Sequence, residues 1–128
     1  MTQSNISRKI IILATAAMGL FAMPGAAVAA NLDSSSIRSL FPGEFVGVVQ
    51  GYRIHISGYA NGRLEGEAYG YQDRGRWYVK GNSLCVSWKE WTKGKATCGT
   101  LSQKSGWFVA SGRAGQMMKF RRDAVAGN

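Results

Sequence analysis

Glycine spacing restricts this chain more than any other feature. Fourteen of its 17 glycines lie between Gly43 and Gly115, and they cut that stretch into short runs rich in Val, Ile, Tyr, Trp and Thr. Such punctuation is the signature of a β meander rather than of helices. The runs place strands at Glu44 to Val49, Tyr52 to Ser57, Arg63 to Tyr69, Arg74 to Lys80 and Ser83 to Lys89. Three more follow at Lys95 to Leu101, Gly106 to Ser111 and Gln116 to Arg121. Gln50-Gly51 and Gly81-Asn82 read as turns, and Asn61-Gly62 as a two-residue hairpin turn.

Period-2 alternation assigns faces within the runs. Tyr52, Ile54 and Ile56 share one face, with Arg53, His55 and Ser57 on the other. Leu64, Gly66 and Ala68 oppose Arg63, Glu65, Glu67 and Tyr69, and the small residues either permit tight curvature or face a bulky tryptophan. Trp77 and Val79 point inward, with Arg76, Tyr78 and Lys80 outward. One of Met117 and Met118 packs in the core. About eight short antiparallel strands suit an up-and-down barrel or a two-layer sandwich, because closure removes exposed edges. A barrel of eight strands has an interior just filled by side chains, so any cavity within it is small. The fold class is therefore all-β.

The residues before the meander read differently. Arg8 and Lys9 precede an apolar run from Ile10 to Met23, Pro24-Gly25 breaks it, and Ala27-Val28-Ala29 forms a small-residue cleavage pattern. Residues 1–30 thus read as a secretory signal peptide. The apolar run is about 14 residues, short of the roughly 20 that a membrane-spanning helix needs. Residues 31–43 read as a helical arm: Asp33 or a serine caps a short helix carrying Ile37 and Leu40, which ends before Pro42-Gly43. Residues 44–122 form the β domain and 123–128 a flexible tail.

Export changes the meaning of composition. The whole chain carries a net charge of +9, and removing Arg8 and Lys9 leaves 14 Lys and Arg against 7 Asp and Glu. In an exported protein that balance points away from nucleic acid and toward lipid head groups, acidic glycans or acidic protein surfaces. A positive surface that only maintains solubility is the bland alternative. Cys85 and Cys98 are the only cysteines, and an even count outside the cytosol argues for one disulfide. Free thiols or a metal pair compete with it, although one distant histidine cannot complete a zinc shell. With Glu90 to Lys93 as a loop, Lys89 pairs with Gly94, and the same register sets Cys85 opposite Cys98. Leu84, Val86 and Trp88 then lie on the other face; the pattern leaves open which face is the core.

The stretch Gly75-Arg76-Trp77-Tyr78-Val79-Lys80-Gly81-Asn82-Ser83-Leu84-Cys85-Val86-Ser87-Trp88, followed by Trp91, Gly94 and Cys98, resembles a family of small exported proteobacterial proteins. Its pattern is G-x-W-x-V-x-G-x-x-L-C-x-x-W with a second cysteine downstream. The resemblance implies an envelope-located β protein with a disulfide and carries no catalytic residues with it. Gly99 departs from the pattern, where an aromatic is expected.

Catalytic chemistry finds little footing. His55, the single histidine, sits on a polar strand face, and Ser57 on the same face lacks an evident acid to complete a dyad or triad. Glu65 and Glu67 share a face, where ion pairs across to Arg53, Arg63 and Arg76 are the simplest role. No metal or cofactor site is expected. The aromatics lead further: Tyr59, Tyr69, Tyr71, Tyr78 and Trp91 fall outward or in turns, interleaved with Arg63, Arg74, Arg76 and Lys93. Aromatic faces beside guanidinium groups suit anionic lipid or glycan ligands, and ordinary cross-strand pairing is the competing role. Arg63, Tyr69, Tyr71, Arg74, Arg76, Tyr78 and Trp91 are the candidate ligand-binding residues. The expectation is a non-catalytic periplasmic or secreted protein that binds an anionic envelope component or a protein partner, with no membrane-spanning segment after cleavage. The alternative is a secreted protease inhibitor resembling the small-barrel periplasmic metalloprotease inhibitors, whose mobile Asn31 to Phe41 arm would enter a protease cleft.

Overall fold

The computed structural model describes residues 30–124. The expected signal peptide, apart from Ala30, and the last four residues of the expected tail lie outside the described residues. Among the described residues the chain forms one helix, α1 (Ser34–Arg38), and eight strands: β1 (Gly43–Val49), β2 (Tyr52–Gly58), β3 (Arg63–Ala68), β4 (Tyr71–Lys80), β5 (Ser83–Trp88), β6 (Ala96–Lys104), β7 (Trp107–Gly112) and β8 (Gly115–Arg122). Every strand pairs antiparallel with its sequence neighbour, and β1 pairs with β8 to close a barrel. The choice between barrel and sandwich is thereby settled, and no edge strand remains to be protected.

Period-2 alternation builds the interior as expected. Phe45, Ile54, Ile56, Leu64, Leu84, Trp88, Leu101, Ala110 and Phe120 form the buried cluster, with Trp77, Val79, Val86 and Met118 packed against it. Leu84, Val86 and Trp88 therefore face the core, and the Cys85–Cys98 bridge lies on the opposite face of the β5–β6 ladder, with Cys85 itself covered. The bridge links residues directly opposite in the β5–β6 register, with Cα atoms 4.0 Å apart. Gly66 receives the tryptophans: a Cβ there would stand 2.7 Å from the Trp91 ring and 2.8 Å from Trp88. At Gly99, where an aromatic is the expectation, a Cβ would lie 3.0 Å from Met117 Sδ and 2.9 Å from the Ser111 carbonyl oxygen, so a side chain there would force the backbone or Met117 to shift.

Turn chemistry corrects several strand ends. Tyr69 and Gly70 both take positive φ, 53° and 85°, in a two-residue loop joining Ala68 to Tyr71. Paired left-handed residues match the twist of a hairpin, so β3 stops one residue early and β4 starts at Tyr71 rather than Arg74. Asn61-Gly62 does not make a two-residue turn. Tyr59 N–H donates to the Arg63 carbonyl, Gly62 N–H donates back to Tyr59, and Gly62 has φ 93°. This is a three-residue loop whose left-handed glycine completes it. The sixth strand runs on to Lys104 because its turn is at Ser105-Gly106.

The N-terminal arm is docked rather than mobile. Asp33 caps α1 by accepting from Ser36 N–H, which lowers its carboxyl pKa from the ordinary value. Ile37 is fully buried and Leu40 nearly so. Leu32 N–H donates to the Leu101 carbonyl, Arg122 donates to the Leu40 carbonyl, and Phe41 stacks on Trp77 with ring centroids 3.9 Å apart. The arm thus plugs the barrel end that holds the Gly81-Asn82 turn. The tail also begins in order, since Asp123 N–H donates to the Glu44 carbonyl.

A buried carboxylate shapes the other end. Asp73 accepts from the backbone N–H groups of Arg74, Glu90 and Trp91 at 2.8–3.2 Å. These bonds fold the Glu90 to Lys93 loop over the barrel and turn Trp91 inward. Burial pushes the Asp73 carboxyl up, but the Trp91, Glu90 and Arg74 amides outweigh it and leave its pKa below the ordinary 3.8. A depressed native pKa gives stability that is present above the unfolded value and lost as pH falls through the native one. Asp73→Asn should therefore cost about 1–2 kcal/mol at pH 7, and the gap from wild type should narrow in thermal melts taken below about pH 4. A gap that is constant with pH would contradict this role.

Candidate functional site

Two hairpins assemble a basic groove on the outer face of β3, β4 and β5. The Gly81-Asn82 turn pairs Lys80 with Ser83, and counting back along that ladder puts Arg76 opposite Ser87. Lys89 N–H then donates to the Arg74 carbonyl. On the other side, Arg76 lies directly opposite Arg63, and Arg74 opposite Glu65. The result is an open groove of about 550 Å³ lined by Arg63, Arg74, Arg76, Ser87 and Lys89, with Leu64, Gly75 and Trp88 beneath.

Its electrostatics are unbalanced. Like charges directly opposite across a ladder are destabilising, yet Arg63 and Arg76 hold that relation. Arg63 is anchored: its guanidinium is 3.2 Å from Glu65 and 5.2 Å from the Tyr59 ring centroid. Tyr59 completes the anchor by donating its hydroxyl to Glu65, a bond that raises the phenol pKa above its ordinary value. Among the described residues Arg74, Arg76 and Lys89 form no ion pair. All three are exposed.

The structure divides the residues singled out from sequence. Arg63, Arg74, Arg76 and Tyr78 share one outward face; Tyr78 stands opposite Cys85, beside the disulfide. Tyr69 and Tyr71 do not join them. Tyr69 is in the β3–β4 turn, where its ring meets Tyr52 edge-on at 6.0 Å, and Tyr71 begins β4 at the same barrel end, 74% exposed. Trp91 lies in the turn between β5 and β6, one of the two places expected of it, but its ring is directed inward onto Trp88, with centroids 4.9 Å apart. Ser87 and Lys89 were missed by the sequence reading, although continuing the hairpin count from Gly81-Asn82 would have reached both.

The expected ion pairs of Glu65 and Glu67 with arginines across the ladder also change. Arg63 pairs with Glu65 along its own strand, while Glu67 lies opposite His55. The outer face of β1 to β3 collects Glu44, Glu65, Glu67 and Asp123 around the exposed His55. Ser57 donates to Glu44 at 2.6 Å and His55 Nδ1 sits 3.5 Å from Asp123, so serine and histidine take separate carboxylate partners. Among the described residues no group of three or more His, Cys, Asp or Glu side chains is placed to hold a metal ion.

The barrel interior is not the site. Its cavity is about 50 Å³ and lined by apolar residues such as Phe45, Ile56, Leu84 and Met118. Ligand pockets for small molecules run to about 300–1,000 Å³. No protein-family model, curated protein or solved structure matches the chain.

Proposed function

We propose that this is a non-catalytic exported protein that binds a phosphate-bearing anionic component of the cell envelope through the β3–β5 groove. The observation that carries the reading is the juxtaposition of Arg63 and Arg76, flanked by Arg74 and Lys89, which form no salt bridge among the described residues. Three guanidinium groups offer planar, paired donors that match phosphate oxygens. An anionic ligand also relieves the repulsion that the apo groove carries. The Cys85–Cys98 bridge suits an oxidising compartment, which agrees with the leader-like residues 1–30. No helix among the described residues is long and apolar enough to cross a membrane. The barrel is apolar inside with charged residues on its outer face, the reverse of a membrane-spanning β-barrel. This reading is preferred to protease inhibition through the arm, because Leu32 to Phe41 is packed against the barrel end.

Cosedimentation of the oxidised protein with vesicles tests it. Vesicles of phosphatidylcholine containing phosphatidylglycerol should retain the protein at low salt and release it at high salt, and pure phosphatidylcholine should not retain it. Each arginine near an anionic surface contributes about 1 kcal/mol, so Arg74→Gln with Arg76→Gln should weaken binding by about 30-fold. A parallel arm with lipopolysaccharide in place of phosphatidylglycerol tells which phosphate source binds more tightly. Equal binding by the double variant, or retention on neutral vesicles, would overturn the proposal.

A further inference from the structure

The outer face of β7, β8 and β1 carries a second cationic surface of different design. Trp107 lies beneath two cations, with Lys119 Nζ 4.7 Å and the Arg121 guanidinium 5.1 Å from its ring centroid. The strand register sets Arg121 beside Val46, and Lys119 between Val48 and Val109. These valines point outward, against the polar-out alternation found on β2 and β3, and Val46 is only 6% exposed. Arg53, opposite Val48, extends the positive edge. An indole with an apolar floor and flanking cations suits the head-group layer of an anionic membrane, where an amphipathic ring can meet lipid while the cations meet phosphate.

Topology places this face away from the groove. In a closed ring of eight strands, β8 is four strands from β4 in either direction, so the two basic faces point to opposite sides of the barrel. The sectors between them carry less positive charge. One holds Glu44, Glu65, Glu67 and Asp123, with Arg74 and Lys89 at its groove side. The other presents the uncharged Ala96, Cys98, Thr100 and Ser102 on β6, with Lys104 at the end of that strand. A single flat anionic surface therefore cannot engage both faces at once, and the acidic sector resists a roll from one to the other.

We infer that one molecule bridges two anionic phospholipid surfaces, one at the β3–β5 groove and one at the Trp107–Lys119–Arg121 face. The inference rests on the groove reading above and adds a second, weaker contact and a tethering activity to it. The test measures vesicle binding by cosedimentation and vesicle clustering by light scattering, on the same phosphatidylglycerol-containing vesicles at low salt. Wild type should bind and cluster them. Lys119→Gln with Arg121→Gln should still bind through the groove, within about fivefold of wild type, while clustering falls at least tenfold. The charge-preserving pair Lys119→Arg with Arg121→Lys should cluster like wild type, which separates charge from any disturbance of the barrel. Wild type that binds without clustering, or a Gln pair that clusters fully, would overturn bridging and leave the groove reading intact. Wild type that does not bind at all would remove both.

Discussion

Trp88→Ala should cost about 3–5 kcal/mol of stability, the largest loss expected of any single substitution in this barrel. Trp88 is 8% exposed and stacks on Trp91. Its ring occupies space that Gly66 and Gly75 leave free on β3 and β4. A Cβ at Gly66 would come 2.8 Å from that ring; one at Gly75 would come 2.8 Å from it and would collide with the Ser87 carbonyl. Most cavities shrink when neighbouring side chains relax inward. Here two of the walls are bare backbone held in ladders, so the space cannot refill. Small domains have about 5–15 kcal/mol in total, and this variant should therefore unfold well below the wild-type denaturant midpoint. A loss under 1 kcal/mol would mean that the tryptophan pair is not the keystone the packing indicates.

Removing the disulfide should come next, at about 3 kcal/mol in the chain-entropy model. Cys85 and Cys98 are 13 positions apart and face each other within an intact β5–β6 ladder. The reduced barrel keeps its strand pairing, so the bridge acts mainly by restricting the unfolded chain. Urea unfolding of the Cys85→Ala, Cys98→Ala protein should give a lower midpoint with the same barrel circular dichroism before unfolding. An unchanged midpoint would show that the unfolded ensemble is already restrained near these residues.

Much of the fold was legible because it is written locally. Ile54 with Ile56, Leu84 with Val86 and Trp88, and the Gly81-Asn82 turn each state their geometry within a few residues. The same local counting set Cys85 against Cys98. What could not be read depends on distant partners. The inward turn of Trp91 follows from Asp73 accepting amides 17 and 18 positions away. The docking of the arm depends on Leu101, Asn82 and Arg122, all remote in sequence. Barrel closure needs β1 to find β8, which no alternation pattern announces. The candidate site shows the same division. Arg63, Arg74, Arg76 and Tyr78 follow from strand parity, whereas Tyr69 falls in the turn rather than in β3 and Tyr71 in β4 rather than before it, because the β3–β4 turn comes earlier than the run of residues suggests.

The central claim is that phosphate-bearing anions engage the β3–β5 groove. The most direct measurement is a titration of the ¹⁵N-labelled barrel with soluble short-chain phosphatidylglycerol, following backbone and arginine side-chain N–H resonances at low and high salt. Salt-sensitive shifts should be largest at Arg63, Arg74, Arg76, Ser87 and Lys89, with a second, smaller set at Trp107, Lys119 and Arg121 and little change at Glu44, His55 and Glu67 on the acidic sector. Shifts absent from the groove, or spread evenly over every exposed lysine and arginine, would contradict it.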